Sequence, residues 1–205
     1  LQAEKTLNNF LKNECSFNDI IYRHPSGLSI VPTSLSLSDV VSIDGNLKNV
    51  IEENLNNFEF VIIDLAPSLG REASASLKSS RKLLLVTTPI VSTVLDIVRT
   101  QVVLREIGIK PIGIVVNMAT GANYEMRKEE IEQLTGLKVI ATIPYDKDVY
   151  RSTALKQPIF ILNPNNRASK ELVKFAAFIS GVEYFEKKSL LEKVADKFRV
   201  IRSYF

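Results

Sequence analysis

The chain has 205 residues, 45% of them hydrophobic and 24% charged, and a net charge of +3. This is globular composition, and it excludes a disordered or fibrous chain. One cysteine, Cys15, and one histidine, His24, exclude an intramolecular disulfide framework and any metal or cluster site built from cysteines of one chain, and they weaken a Ser-His-Asp reading.

In chain order, residues 4–12 read as a short amphipathic helix and residues 28–31 as a strand bounded by Ser26-Gly27 and Pro32. Residues 46–56 place Leu47, Val50, Ile51 and Leu55 at helical spacing. Residues 58–64, 83–87, 112–117 and 139–143 are almost continuous apolar runs. Such runs fit strands buried on both faces, as in a parallel sheet covered by helices. Helical patterns fall between and after them, at 72–80, 92–107, 125–134, 149–156 and 168–179. The alternation predicts an open, doubly wound α/β domain with a mostly parallel sheet and helices on both faces. Residues 1–181 form this domain in the present reading, and residues 182–205 follow it as a basic amphipathic helix. No apolar run reaches the roughly 18 residues of a membrane span, and no signal peptide is visible, which points to a cytoplasmic setting.

Ligands of such sheets bind beyond the carboxyl ends of the strands. The residues expected there are Asp64 with the turn 65–70, then Thr88-Pro89, Asn117, and Pro144-Tyr145-Asp146. An acid, a glycine-containing turn and an amide suit a nucleotide with its metal. They are equally the residues that populate ordinary strand-end turns, and pattern alone leaves both readings open.

Read in order, the segments Ile62-Ile63-Asp64-Leu65-Ala66-Pro67-Ser68-Leu69-Gly70, Leu84 to Pro89 with Val91 to Asp96, Gly113 to Asn117, and Ile143-Pro144-Tyr145-Asp146 with Val149 and Arg151 carry a resemblance. Together they resemble the MinD/ParA family of deviant-Walker P-loop ATPases, closest to its MinD branch and to archaeal-type members. The resemblance spans about residues 3–181. It implies ATP and Mg²⁺ as cofactors. It implies that Asp64 holds Mg²⁺ through water, that Ser68 to Gly70 act catalytically as a γ-phosphate sensor, and that Asn117, Pro144 and Asp146 line the adenine pocket. A strand-end carboxylate suits phosphoryl transfer, which is catalysed mainly by positioning and charge neutralisation. The chain also departs from the family. It contains no Gly-x-x-x-x-Gly-Lys-Ser/Thr motif and no Gly-Lys pair, so it lacks Walker A and is expected to be inactive alone. Ala66, Ile90 and Met118 stand where the family commonly has Pro, Glu and Arg. The chain begins at Leu1 rather than Met, and by the resemblance roughly fifty residues carrying the first βαβ unit precede it.

The charge is concentrated at one end. Residues 186–205 hold six basic and three acidic residues, so the remainder is neutral. A broadly basic nucleic-acid-binding body is therefore not supported, and no specific nucleic acid is expected. Leu190, Leu191, Val194, Phe198, Ile201 and Phe205 fall on one face of a helix whose other face is basic. Such a helix can lie in the headgroup layer of an anionic membrane. It can also dock on its own domain or a partner. The resemblance implies an ATP-bound homodimer, a regulatory protein partner and peripheral association with the inner face of the cell membrane. The expected output is spatial positioning, such as of a division site or an organelle; DNA partition in the ParA manner and a non-catalytic interaction module are the alternatives.

Overall fold

A computed structural model describes residues 3–33, 47–65 and 77–184. The first part is a small assembly of short elements. Helix α1 (Leu7–Leu11) is followed by a single 3₁₀ turn (Phe17–Ile20) and an antiparallel pair, β1 (Tyr22–Arg23) and β2 (Ser29–Ile30). Helix α2 (Leu47–Asn54) supplies Leu47 and Val50 to a core with Leu7, Phe17 and Ile20. Phe10 and Phe17 meet edge to face at 5.2 Å.

The second part carries the sheet. Strands β3 (Leu83–Thr87), β4 (Pro111–Ala119) and β5 (Val139–Pro144) run parallel in that spatial order. Helix α3 (Val91–Glu106) connects β3 to β4, and α4 (Lys128–Thr135) connects β4 to β5. Helices α5 (Lys147–Ala154), α6 (Ile159–Leu162) and α7 (Arg167–Ser180) follow. The period of two along β4 divides the core between two faces. Ile114 and Val116 point to one side, where Val94, Ile97 and Leu104 of α3 and Ile131 of α4 bury against them. Val115 points to the other, where it meets Ile143, Ala168, Leu172 and Phe175. This is the expected α/β arrangement with helices on both faces. Among the described residues, no helix is long and apolar enough to cross a membrane.

One expectation fails. The apolar run 58–64 forms no strand in the structure. Phe60, Val61 and Ile62 are 49%, 42% and 90% exposed. A strand requires a partner for its backbone N–H and C=O groups, and an apolar run does not supply one. Three helices start two or more residues from where their patterns suggest, the first being α1, which begins at Leu7 rather than 4. Helix α4 begins at Lys128 rather than 125, because residues 120–126 form a loop held by Glu125. Helix α5 begins at Lys147, two residues earlier than expected, because Asp146 caps it. Of the short elements, α1 and β2 fall within the expected helix 4–12 and strand 28–31, whereas the 3₁₀ turn, β1 and α6, of four residues or fewer, had no periodic signal.

Candidate functional site

Parallel strands deliver their C-terminal ends to one edge of the sheet. There β4 and β5 end side by side, with the Tyr145 N–H donating to the Ala119 carbonyl at 2.9 Å. A cavity of about 160 Å³ opens at this point, lined by Asn117, Met118, Ile143, Pro144, Tyr145, Asp146, Val149, Tyr150 and Leu172. Its wall is almost wholly apolar, and the lining side chains that carry polar groups are Asn117, Asp146, Tyr145 and Tyr150. An apolar cavity of this size holds a single aromatic ring system. Tyr145 and Tyr150 stand at its mouth, their rings 5.9 Å apart and tilted by 56°.

The cavity has a rigid back. Asp146 is the N-cap of α5 and accepts the Asp148 N–H at 2.8 Å. This bond satisfies one of the free donors of the first helical turn. Asp148 in turn accepts from the side-chain amide of Asn163 at 2.8 Å. The Asn163 carbonyl accepts the Ser169 hydroxyl at 2.6 Å, and Ser169 is fully buried in α7. Cavity wall, helix cap and the packed helix α7 are thus one hydrogen-bonded chain.

On the far side of Asn117 lies the loop 120–126. Partial burial opposes ionisation of Glu125. Hydrogen bonds from the Thr120 side chain and from the Thr120, Gly121 and Ala122 backbone outweigh it and hold the carboxyl below its ordinary range. The Met126 N–H donates to the Pro89 carbonyl at 2.8 Å, which ties the loop to the turn after β3.

The expected site residues divide into three groups. Asn117, Pro144 and Asp146 come together in the cavity. Asp64 is exposed and does not line it. Ser68 and Gly70 lie outside the described residues, as do Leu190, Leu191, Val194, Phe198, Ile201 and Phe205. Among the described residues, no group of three or more His, Cys, Asp or Glu side chains could hold a metal ion. A lone carboxylate such as Asp64 still fits Mg²⁺, which binds through one or two carboxylates together with phosphate oxygens and water. Sequence reasoning did not find Met118, Tyr150 or Leu172 as wall residues. Tyr150 sits four residues after Asp146 on a helix, a spacing that could have flagged it. Leu172 comes from α7, and no local signal announces it.

The ParA family model, described as an NUBPL iron-transfer P-loop NTPase, matches residues 42–180. An uncharacterised ATP-binding protein of Methanocaldococcus jannaschii is 32% identical over 208 residues, covering 97% of this chain and 79% of the relative. The septum site-determining protein MinD of Bacillus subtilis is 27% identical over 172 residues, covering 80% of this chain and 60% of that protein. The crystal structure of the Pyrococcus furiosus cell division ATPase MinD superposes with a TM-score of 0.78 at 26% identity, covering 88% of this chain and 77% of that one.

Proposed function

The chain belongs to the ParA family of P-loop NTPases, and from that premise we propose that it is an ATP-dependent, membrane-associating switch of the MinD kind. The observation that carries the reading is the ring-sized apolar cavity beside Asn117, at the carboxyl edge of the parallel sheet. Adenine would enter it against Ile143, Val149 and Leu172, with the Asn117 amide toward the polar edge of the base and Pro144 and Asp146 forming the rim. Asp64 would hold Mg²⁺ through water, and Ser68 to Gly70 would sense the γ-phosphate. Bound Mg–ATP would supply the phosphoryl group whose transfer to water resets the switch.

The second half of the reading concerns the tail. A single basic amphipathic helix binds an anionic surface weakly, and two in one dimer bind far better. ATP-dependent dimerisation would therefore couple nucleotide state to location, with a regulatory protein partner controlling hydrolysis. The apolar positions Leu190, Leu191, Val194, Phe198, Ile201 and Phe205 would enter the headgroup layer. An iron-transfer role is less well supported, because these 205 residues hold one cysteine and so offer no cysteine pair within the chain.

Sedimentation of the full-length protein with anionic phospholipid vesicles tests the proposal. The protein is expected to pellet with ATP and to remain largely in the supernatant with ADP or no nucleotide. Vesicle binding indifferent to nucleotide, or absent while ATP is bound and hydrolysed, would sink the membrane half. Failure to bind ATP at all would sink the whole reading.

A further inference from the structure

Between the pair Val116–Thr142 and the pair Ala119–Pro144, β4 has one more residue than β5. The surplus is a β-bulge at Asn117–Met118, the kind of irregularity that re-aims a side chain near a site. Met118 takes φ +58° there, a left-handed conformation uncommon outside glycine and costly to hold. Its backbone N–H donates to Oδ1 of Asn117 at 2.9 Å. Both residues line the cavity.

That hydrogen bond has a chemical consequence. An Asn amide carries an acceptor oxygen and a donor NH₂, and it can be used in either order by turning over. Turned over here, its NH₂ would face the Met118 N–H, donor against donor. The bulge therefore holds one order, with Oδ1 keeping its second lone pair beside the NH₂. A fixed acceptor beside a donor matches a base edge that presents a donor beside an acceptor. Adenine does so with its 6-amino group and N7, whereas guanine presents two acceptors, O6 and N7.

We propose that Met118 is a positioning residue for base selectivity: its left-handed backbone locks the Asn117 amide in the order that accepts a 6-amino group, so the cavity takes adenine and rejects guanine nucleotides. The inference rests on the nucleotide-binding reading above. The agent is the backbone of Met118 rather than its thioether. Glycine adopts this conformation freely, whereas a β-branched residue resists it.

The experiment compares the full-length wild type with Met118→Gly and Met118→Ile. Titration calorimetry with ATP and GTP reads base preference, and amide hydrogen exchange reads the lock in the nucleotide-free wild type. The wild type is expected to prefer ATP by about tenfold to a hundredfold, the discrimination of one well-matched amide. Met118→Gly keeps the preference, and Met118→Ile brings the two affinities together. The Met118 amide is expected to exchange slowly although the residue is 42% exposed. Equal wild-type affinities, a preference that survives Met118→Ile, a preference lost in Met118→Gly, or an unprotected Met118 amide each overturn the proposal. Should Met118→Ile fail to fold, the glycine variant and the exchange measurement decide. A wild type that binds neither nucleotide overturns the functional reading itself, whereas binding without base preference overturns the amide lock alone.

Discussion

At Gly113, near the start of the central strand β4, a Cβ would lie 2.5 Å from Cδ1 of Ile140 and 2.8 Å from the Lys138 carbonyl oxygen. The isoleucine could turn aside, but the carbonyl belongs to the backbone entering β5 and cannot. Gly113→Ala is therefore expected to destabilise the protein by about 1–3 kcal/mol, the usual cost of overpacking, measured by denaturant unfolding. Glu125 offers a second single-residue test. Its carboxyl is held below the ordinary value of 4.5 by the hydrogen bonds it accepts. A depressed carboxylate contributes stability above its unfolded pKa, and that contribution is lost as pH falls through the lower, folded value. The loop 120–126 should therefore remain closed at neutral pH and open in acid. Amide exchange at Thr120 and Gly121 should accelerate, relative to its intrinsic pH trend, only below about pH 4.5. Glu125→Gln should remove that pH dependence. Neither position could be weighed from sequence. Gly113 is one of eight glycines and Glu125 one of 23 acidic residues; only their neighbours distinguish them.

Among the elements, long periodic segments were legible; of the short ones, α1 and β2 were expected, whereas the 3₁₀ turn, β1 and α6 were not. Helix α3 buries Val94, Ile97, Gln101 and Leu104 at successive spacings of three and four, the amphipathic stripe its sequence shows. Leu104 is 1% exposed, so Leu104→Ala should cost about 2–5 kcal/mol in denaturant unfolding. Strands β3, β4 and β5 were readable from their nearly unbroken apolar runs, and β4, the central strand, buries consecutive residues on both faces. The same signal misled at residues 58–64, where the run is present and the pairing is not. Helix boundaries were set by side-chain chemistry that periodicity does not capture. Asp146 caps α5, and Asp146→Ala should lower stability by about 1 kcal/mol in thermal or denaturant unfolding. The bulge in β4 belongs to the same class. Nothing in Val115-Val116-Asn117-Met118-Ala119 marks it, because it arises from a mismatch in length between two strands 20 residues apart and more.

For the whole molecule, the proposed switch is tested at the tail. Phe198→Glu places a charge on the apolar face of the predicted helix, where it opposes insertion into the headgroup layer. ATP-dependent vesicle sedimentation should be lost, while ATP affinity, read by calorimetry, should be unchanged because the cavity lies in residues 117–172. The α/β architecture, the core faces of the long elements and the family were written into the linear order of residues. Apolar runs, helical periods and ordered strand-end motifs are local or regularly spaced, and a chain displays them before it folds. The cavity was different. Asn117, Pro144 and Asp146 could be proposed from strand ends, but Met118, Tyr150 and Leu172 join them only through packing. Leu172 arrives from a helix that crosses the opposite face of the sheet, and the orientation of the Asn117 amide depends on a register shift against β5. Those facts live in the pairing of distant segments, whose free energy is a sum over contacts that no single stretch of sequence contains.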